Sequence, residues 1–201
     1  TVLSRGLGDV YKRQNYDSYG RPIESGVGTG TFSTLNPDIK EFTGTRKEQH
    51  FTVYDEPDTP SNLEYYISRD LGNNVHKNYK QTFVAGNVSK THTDVTSPDH
   101  HATWYSYDAY GRVKWIVQLI KGLGIKTIDY EYDFAKGQVT KVIYQKHHNQ
   151  STSTDGEYFE HKYTYNVAGE LFKVETSTNG VNYKEQAKYE IPKVEKLKKK
   201  L

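Results

Sequence analysis

A tyrosine–aspartate–glycine pattern recurs along the chain and constrains its fold more than any other feature. Each copy ends one segment with Tyr-x-Tyr-Asp, places a glycine three or four residues after the acidic position, and then starts an apolar segment. The three best copies are Tyr105-Ser106-Tyr107-Asp108-Ala109-Tyr110-Gly111-Arg112, Tyr130-Glu131-Tyr132-Asp133-Phe134-Ala135-Lys136-Gly137 and Tyr163-Thr164-Tyr165-Asn166-Val167-Ala168-Gly169. Such self-similarity predicts a repeat architecture in which neighbouring units stabilise one another.

Weaker copies extend the pattern towards both ends of the chain. One copy uses Tyr16, Asp17, Gly20 and Arg21, and two degenerate copies lie at 53–55 and 86–90. The second Tyr recurs after 25 residues between the first two best copies and after 33 between the next two. The polar stretch 147–156 accounts for the longer interval, since clusters of Ser, Thr, Asn and Gly are typical of loop insertions.

The chemistry of each copy predicts a β-hairpin. Tyr105 and Tyr107 fall on one face of a strand because side chains alternate with period two. The Asp108 carboxylate can accept hydrogen bonds from the backbone of the turn, and the Asn166 amide oxygen can do the same. Gly111 supplies the positive φ that a type I turn closed by a bulge requires. Lys136 lengthens its turn by one residue, so that hairpin can differ in register.

Composition agrees with a chain built from strands. Aromatic residues make up 13% of the sequence and 18 of them are Tyr, while the mean hydropathy is −0.88. Aromatic side chains suit a pleated surface and can bury a ring while keeping the hydroxyl hydrated. The predicted fold class is therefore all-β, with repeated antiparallel hairpins. No helix is expected, with the exception of a short one that could follow Pro192.

Both ends of the chain differ from this pattern. Written back into codons, residues 4–14 read as the in-frame translation of a transposase-type sequencing adapter, so 1–14 is interpreted as an adapter-derived artefact. Residues 15–190 form the predicted β region. The segment 191–201 changes abruptly to a Lys-rich, Tyr-free composition and is interpreted as a basic tail that is either genuine or artefactual.

Several functional classes are disfavoured by composition. The net charge of +2 gives no strong field for nucleic acid, and no apolar run is long enough for a membrane helix. The absence of cysteine excludes thiol catalysis and thiolate metal sites. The adjacent pairs His100-His101 and His147-His148 occupy polar stretches and are interpreted as solvated loop residues, since adjacent side chains on a strand face opposite ways. We therefore predict no enzyme activity, cofactor or metal.

The recurring Tyr-Asp-x-x-Gly-Arg core resembles the YD repeats of the RHS (rearrangement hotspot) family, which includes polymorphic-toxin shells, insecticidal toxin complex subunits and teneurins. This resemblance covers roughly 16–189 and is densest over 103–175. It implies a spiralling β-sheet that forms part of a hollow shell, in a secreted or cell-surface protein. The family's self-cleavage site contains an Asp-Pro pair, which this sequence lacks, so neither cleavage nor a toxin domain is carried over.

The resemblance gives each repeat residue a structural role and no catalytic one. The residues concerned are Tyr16, Asp17, Gly20, Arg21, Tyr105, Tyr107, Asp108, Gly111, Arg112, Tyr130, Tyr132, Asp133, Gly137, Tyr163, Tyr165, Asn166 and Gly169. The partners it implies are neighbouring repeats of the same parent chain and an enclosed effector domain. A carbohydrate- or surface-binding β-module is the alternative, because tyrosine-rich surfaces also bind glycans. A stack with unpaired strand edges is expected to be marginally stable or prone to aggregation.

Overall fold

The computed structural model describes residues 10–29, 45–58, 62–94, 100–148 and 157–189. Eleven strands form one sheet whose strand order follows the chain, and the pairings resolved between neighbours are antiparallel. They are β1 (Val10–Tyr16), β2 (Pro22–Thr29), β3 (Thr45–Tyr54), β4 (Val88–Thr93), β5 (Ala102–Tyr107), β6 (Val113–Ile120), β7 (Gly124–Tyr132), β8 (Val139–Tyr144), β9 (Phe159–Tyr165), β10 (Leu171–Ser177) and β11 (Lys184–Lys188). The predicted all-β class of repeated antiparallel hairpins is confirmed.

The chain divides into two compact units, Thr1–Thr127 and Ile128–Leu201. Strand β1 begins at Val10, so the last residues of the segment interpreted as adapter-derived pair with β2. Residues 1–9 and the basic tail 191–201, with the helix suggested after Pro192, lie outside the described residues. None of the helices described is long and apolar enough to cross a membrane.

The expectation that no helix precedes Pro192 is wrong, because helix α1 spans Asn62–Leu71 between β3 and β4. A short 3-10 helix, His76–Tyr79, follows it. Tyr65, Tyr66 and Ile67 are side chains that favour strands, yet burial along one helix face outweighs that local preference. The helix ends at Leu71 and is followed by Gly72, whose φ of +99° suits the position just after a helix C-terminus.

The core of the first unit lies between this helical insertion and strands β5 to β7. Leu63, Ile67 and Tyr79 pack against Trp104 and Trp115, which are the largest fully buried side chains in the described part of the chain. The rings of Tyr79 and Trp115 meet edge to face at 5.3 Å. Ala102, Val117, Leu119 and Ile125 complete the cluster. The insertion therefore supplies one side of the apolar core and is not a surface loop.

The second unit pairs β7 with β8, β8 with β9, β9 with β10, and β10 with β11. A second short 3-10 helix, Lys146–His148, follows β8. The buried side chains of the second unit are Ile143, Gln145, Tyr158, Glu160 and Ser177, and three of these five are polar or charged. This unit is thus held together by buried polar contacts to a greater degree than the first.

Candidate functional site

The repeat residues gather at hairpin ends, which we call corners. Every corner is closed by the same backbone bond, in which the acidic or amide residue donates its N–H to the residue just before the returning strand. The N···O distances are 2.9 Å for Asp17–Arg21, 3.1 Å for Asp55–Asn87, 2.9 Å for Asp108–Arg112, 2.8 Å for Asp133–Gln138 and 2.9 Å for Asn166–Glu170. One turn design therefore recurs five times in the two units.

The Asp108 corner shows why a carboxylate suits the first position. Asp108 Oδ1 accepts the backbone N–H groups of Tyr110 at 2.9 Å and Arg112 at 3.0 Å, and Oδ2 accepts Arg112 Nε at 2.6 Å. Gly111 takes φ +75° and donates its N–H to the Asp108 carbonyl at 3.0 Å. Each carboxylate oxygen of Asp108 is thus used within its own turn.

The Asp17 corner repeats this arrangement and adds a link to the next corner. Asp17 accepts the N–H groups of Tyr19 and Arg21 at 2.9 Å and the Arg21 Nε at 2.7 Å. The Arg21 guanidinium then reaches Asp55, with Nη2 2.5 Å from Oδ2 and Nη1 3.2 Å from Oδ1. A single arginine therefore bridges the carboxylates of two neighbouring corners.

The corner of Asp55 shows that the two degenerate copies of the repeat belong to a single turn. Asp55 occupies the acidic position, with its carboxylate accepting the Gly86 N–H at 2.7 Å, and Gly86 has the φ of +80° found at the other corner glycines. Asn87 then accepts the closing bond from Asp55. The segments at 53–55 and 86–90 are therefore the two halves of one corner, separated by the insertion that carries α1.

The Asn166 corner reaches the same turn with different side chains. Asn166 Oδ1 accepts the Glu170 N–H at 2.9 Å, while Asn166 Nδ2 donates to Glu170 Oε2 at 2.9 Å. Gly169 has φ +87°. In this corner the side chain of the fifth residue, Glu170, accepts a hydrogen bond from the first, whereas in the Asp108 corner the side chain of the fifth residue, Arg112, donates one.

The Asp133 corner is one residue longer, as Lys136 predicts. Gly137 donates to the Asp133 carbonyl at 3.0 Å, and the Asp133 carboxylate accepts the Lys136 N–H at 2.6 Å. Two side chains of this corner bind the backbone of the Asn166 corner: Gln138 Nε2 donates to the Gly169 carbonyl at 2.6 Å and Lys136 Nζ donates to the Val167 carbonyl at 3.1 Å. Neighbouring corners of the second unit are thus joined directly.

The second tyrosine of a copy connects one hairpin to the hairpin before it. Hydroxyls donate to the first carbonyl of the preceding hairpin's returning strand: Tyr54 to Pro22 at 3.1 Å, Tyr107 to Val88 at 2.9 Å and Tyr165 to Val139 at 2.8 Å. Tyr16, which opens the first hairpin, donates to Gln14 Oε1 on its own strand at 2.7 Å. Phenylalanine at these positions would pack equally well but could not donate, so the hydroxyl explains why the repeat uses tyrosine.

Bulges recur at the corners, next to the carbonyls that accept the tyrosine hydroxyls. Register shifts occur next to Tyr16, Tyr54, Tyr107 and Tyr132, and between Leu171 and Lys173 in the last hairpin. A bulge leaves a residue out of regular ladder pairing. The acceptor carbonyls of Pro22 and Val88 lie on the returning strand at two of these shifts.

The first tyrosine of each best copy lies half-buried in its strand: Tyr105 in β5, Tyr130 in β7 and Tyr163 in β9. Desolvation raises the pKa of Tyr130 and Tyr163 above the ordinary value, with smaller contributions from neighbouring tyrosines such as Tyr144. Desolvation likewise raises the pKa of Tyr107. These rings therefore serve as neutral packing groups.

Three corner aspartates, Asp17, Asp55 and Asp108, are held in their charged form. Partial desolvation raises the pKa of Asp108 and Asp17, but hydrogen bonds from the backbone and from the arginine four residues later outweigh it and leave both below their ordinary values. Hydrogen bonds from Arg21 and then from the Gly86 N–H lower the pKa of Asp55. Such groups are built to stay ionised, which suits capping of a turn and does not suit general acid chemistry.

Two carboxylates, one buried and one half-buried, lie outside the repeat pattern and have no sequence signal of their own. Glu160, 1% exposed, accepts the hydroxyls of Tyr158 and Tyr183 and lies 3.6 Å from Lys141 Nζ. Desolvation and then the Glu160 hydrogen bond raise the pKa of Tyr158. These contacts attach the 178–183 loop to β9, and the strand alternation alone would have put a charged residue at 160 in solvent.

The second of these carboxylates anchors the helical insertion. Asp58 Oδ2 accepts the Trp104 indole N–H at 2.6 Å and lies 3.2 Å from Lys90 Nζ. The buried Gln81 side chain accepts the Asp58 N–H at 2.7 Å and donates to the carbonyls of Ser89 and Tyr105. Both ends of the insertion are thereby fixed to β4 and β5.

Histidine side chains of the described residues contact aromatic rings and single polar groups. His76 bridges Ser68 Oγ (3.1 Å from Nδ1) and Glu64 Oε1 (3.2 Å from Nε2), which holds the first 3-10 helix against α1. His100, expected to be solvated, is half-buried with its ring edge to face with His92 at 6.2 Å, while His101 is exposed. Within the described ranges no three metal-binding side chains come together.

Comparison with known proteins gives only distant similarities. No family model matches the chain, and neither does any curated protein. A crystal structure of a TcdB2–TccC3–Cdc42 complex matches with 16% identity and a TM-score of 0.36, covering 82% of this chain. The Photorhabdus luminescens Tc holotoxin pore matches with 12% identity and a TM-score of 0.23, covering 79%. The chain spans 8% of the length of each of those proteins.

Proposed function

We propose that the chain is a wall segment of a large secreted or cell-surface RHS-type protein, and that the parent wall encloses or presents a toxin or effector domain. In this role the segment supplies no chemistry of its own. Its task is to extend a sheet hairpin by hairpin with a reproducible geometry.

The observation that carries the proposal is the tyrosine bond from one hairpin to the preceding one. The bond appears in both units with the same donor position and the same acceptor position, between 2.8 and 3.1 Å. Each hairpin therefore presents the acceptor that the next hairpin needs, a property of a structure that grows by addition. A binding site or active site would instead concentrate distinct side chains in one place.

The corner aspartates support a structural role for a second reason. In the Asp108 corner both carboxylate oxygens bind groups of the same turn, so neither is left to act as a base towards a substrate. The Asp17 carboxylate is engaged in the same way. That the chain is not an enzyme remains part of the proposal.

A carbohydrate-binding module is the rival function, and one sheet face of the second unit is where it would act. This face is formed by strands β7 to β10. The residues that the strand register puts on it are uncharged or aromatic: Ile128, Tyr130, Val142, Tyr144, Phe159, His161, Tyr163, Val174 and Thr176. Its rings, however, turn their faces towards one another: His161 stacks on Tyr163 at 14°, and Phe159 meets His161 edge to face at 4.9 Å. Sugar binding needs open ring faces, so we favour the wall.

Substitution of the repeat tyrosines separates the two functions. Tyr107→Phe keeps the ring and removes the hydroxyl. If the chain is a wall segment, this variant should lose about 1 kcal/mol of unfolding free energy, because the Val88 carbonyl loses its donor. Tyr65→Phe on the exposed side of α1 is the matched control and should change nothing. Unchanged stability of Tyr107→Phe, together with glycan binding that Tyr107→Ala and Tyr132→Ala abolish in a folded protein, would establish the module instead.

The parent gene tests the larger claim about a shell. Long-read sequencing should show many more Tyr-Asp-x-x-Gly copies in the same reading frame and a region of different composition after them. A reading frame without further copies would refute the shell while leaving the hairpin geometry intact.

A further inference from the structure

The turn between β10 and β11 contains the only Asn-Gly pair of the sequence, Asn179-Gly180. The backbone nitrogen that follows an asparagine can attack the side-chain amide and close a succinimide ring. Glycine hinders this attack least, because it has no Cβ. In the structure Asn179 is exposed, and Gly180 is half-buried with φ +70°. The pair is therefore a candidate for a reaction of the chain with itself.

The side-chain carbonyl oxygen of Asn179 is surrounded by hydrogen-bond donors. Asn179 Oδ1 accepts the backbone N–H groups of Val181 at 3.0 Å and Asn182 at 2.8 Å, and the Ser177 hydroxyl donates to it at 3.1 Å. Donors fixed around a carbonyl oxygen stabilise the negative charge that develops on it when a nucleophile adds to the carbonyl carbon. The turn therefore activates this amide towards attack.

The Ser177 hydroxyl connects that oxygen to the attacking nitrogen. Ser177 is 3% exposed, and its Oγ accepts the Gly180 N–H at 2.9 Å while donating to Asn179 Oδ1. The backbone N–H of Asn179 also donates to Oγ, at 3.2 Å. A hydroxyl has one donor and two acceptor positions, so these three bonds use it completely. One hydroxyl can thus receive a proton from the nucleophile and pass its own proton to the amide oxygen.

The loop that carries these groups is attached to the sheet at both ends. Ser177 is the last residue of β10, and the Tyr183 hydroxyl, just before β11, donates to the buried Glu160 carboxylate. Holding reacting groups in one geometry avoids the entropy that a flexible peptide must lose to reach it. The folded chain therefore keeps the nucleophile, the hydroxyl and the amide together.

We propose that Asn179-Gly180 is a self-modification site, at which the folded chain converts its own asparagine into a succinimide with Ser177 as the proton relay. The Gly180 nitrogen bonds to the side-chain carbonyl carbon of Asn179, its proton passes to Ser177 Oγ, and the Ser177 hydroxyl proton passes to Oδ1. The bond from that carbon to Nδ2 then breaks, and ammonia leaves with the proton of the new hydroxyl. Water opens the ring to aspartate or isoaspartate, which adds a negative charge to the turn.

The rate of conversion in the full chain tests the proposal and is independent of the wall function. The chain is incubated at neutral pH, either folded or unfolded in urea, and is then cleaved after lysine. The peptide 174–184 reports conversion of Asn179 through the mass change from amide to acid, and its fragment ions assign the position. We expect faster conversion in the folded chain than in urea. Asn182, which precedes Tyr183 in the same peptide, is the internal control and should stay unconverted.

Substitution of the relay gives the main comparison. Ser177→Ala should slow conversion in the folded chain at least about tenfold, because it removes the group that transfers the proton, and should leave the rate in urea unchanged. Ser177→Thr keeps a hydroxyl and should retain most of the rate. Thr178→Ala is the matched control, since it removes an exposed hydroxyl one residue away. Hydrogen exchange of β10 and β11 establishes that each variant is folded.

The dependence on pH separates a proton relay from a turn that is only rigid. In the unfolded chain the Gly180 nitrogen loses its proton to hydroxide, so the rate should rise in proportion to hydroxide concentration. In the folded chain Ser177 takes that proton, and the rate should rise less steeply with pH. Ser177→Ala should restore the steep dependence.

Three results would overturn the proposal. Slower conversion in the folded chain than in urea would mean that the turn protects Asn179. Equal rates in folded Ser177→Ala and Thr178→Ala would remove Ser177 from the reaction. An equally steep pH dependence in the folded and unfolded chains would assign the proton transfer to hydroxide in both.

Discussion

The Asp108 corner of the first unit and the Asn166 corner of the second make the same turn with opposite side-chain roles. Asp108 accepts from the Arg112 side chain, whereas Asn166 donates to the Glu170 side chain. Both keep an oxygen that accepts the backbone N–H of the fifth residue, and both contain a glycine with positive φ at the fourth. The difference teaches that the turn needs an acceptor oxygen at its first position, and not an acidic residue as such.

Truncating the first residue of each corner to alanine should give the largest loss of stability, and the loss should differ between the two corners. Asp108→Ala leaves two backbone N–H groups and the Arg112 guanidinium without their acceptor, and we expect a loss of about 2 kcal/mol in unfolding free energy. Asn166→Ala removes one backbone acceptor and one donor, and about 1 kcal/mol is expected. Tryptophan fluorescence during urea unfolding reports the first unit, since both tryptophans lie there. Hydrogen exchange of β9 and β10 reports the second. Equal losses would contradict the difference in bonding.

Replacing the corner glycines should show whether the two turns are equally strained. Gly111→Ala and Gly169→Ala each put a side chain into a left-handed conformation, at roughly 1–2 kcal/mol. A Cβ at Gly111 meets no atom within 4 Å, while one at Gly169 comes within 3.3 Å of Gln138 Nε2. We therefore expect the larger loss at Gly169, and Gln138→Ala in the same chain should remove the excess. A double-mutant cycle on hydrogen-exchange protection measures it.

The contrast between the corners also marks what sequence alone can predict. The turns at Asp108, Asp133 and Asn166 are local, since every atom involved lies within six residues, and turn chemistry was sufficient to identify them. The corner of Asp55 and Gly86 was divided into two copies because its halves are 31 residues apart and α1 lies between them. The insertion between these halves folds as a helix because it is buried against Trp104 and Trp115. No local sequence pattern encodes that burial.

The tyrosine hydroxyl bonds were missed for a related reason. Each joins a hairpin to the preceding one, so the acceptor carbonyl belongs to another copy of the repeat and depends on strand order. The sequence did contain a signal, namely tyrosine and not phenylalanine at the second aromatic position of each copy. Glu160 has no such signal, because its burial depends on Tyr183 folding over it from the loop after β10.

Exchanging side-chain chemistry between the corners sharpens the comparison with a smaller effect. Asn166→Asp brings a carboxylate next to the Glu170 carboxylate in a solvent-exposed turn, and a loss of about 0.5 kcal/mol is expected from like-charge repulsion. Adding Glu170→Arg recreates the Asp–Arg pair of the Asp108 corner and should restore the stability. Hydrogen exchange of β9 and β10 in the parent, both single variants and the double variant gives the coupling. Additive effects would show that the two positions do not act as a pair.

Lowering the pH should give the smallest difference in stability between the Asp108 and Asn166 corners. A difference is expected because only the Asp108 corner has a charged residue at its first position. The pKa of Asp108 in the folded chain lies below that of the unfolded chain, so its contribution is complete above the unfolded value of about 4 and is lost as pH falls through the folded value. Asp17 and Asp55 have the same sign. Urea unfolding followed by tryptophan fluorescence should therefore show stability of the first unit decreasing below about pH 4, and Asp108→Asn should reduce that slope. Because Asn166 does not titrate, Asn166→Ala should leave the pH dependence of hydrogen-exchange protection in β9 and β10 unchanged. An altered dependence in that variant would mean that the Asn166 corner depends on charge after all.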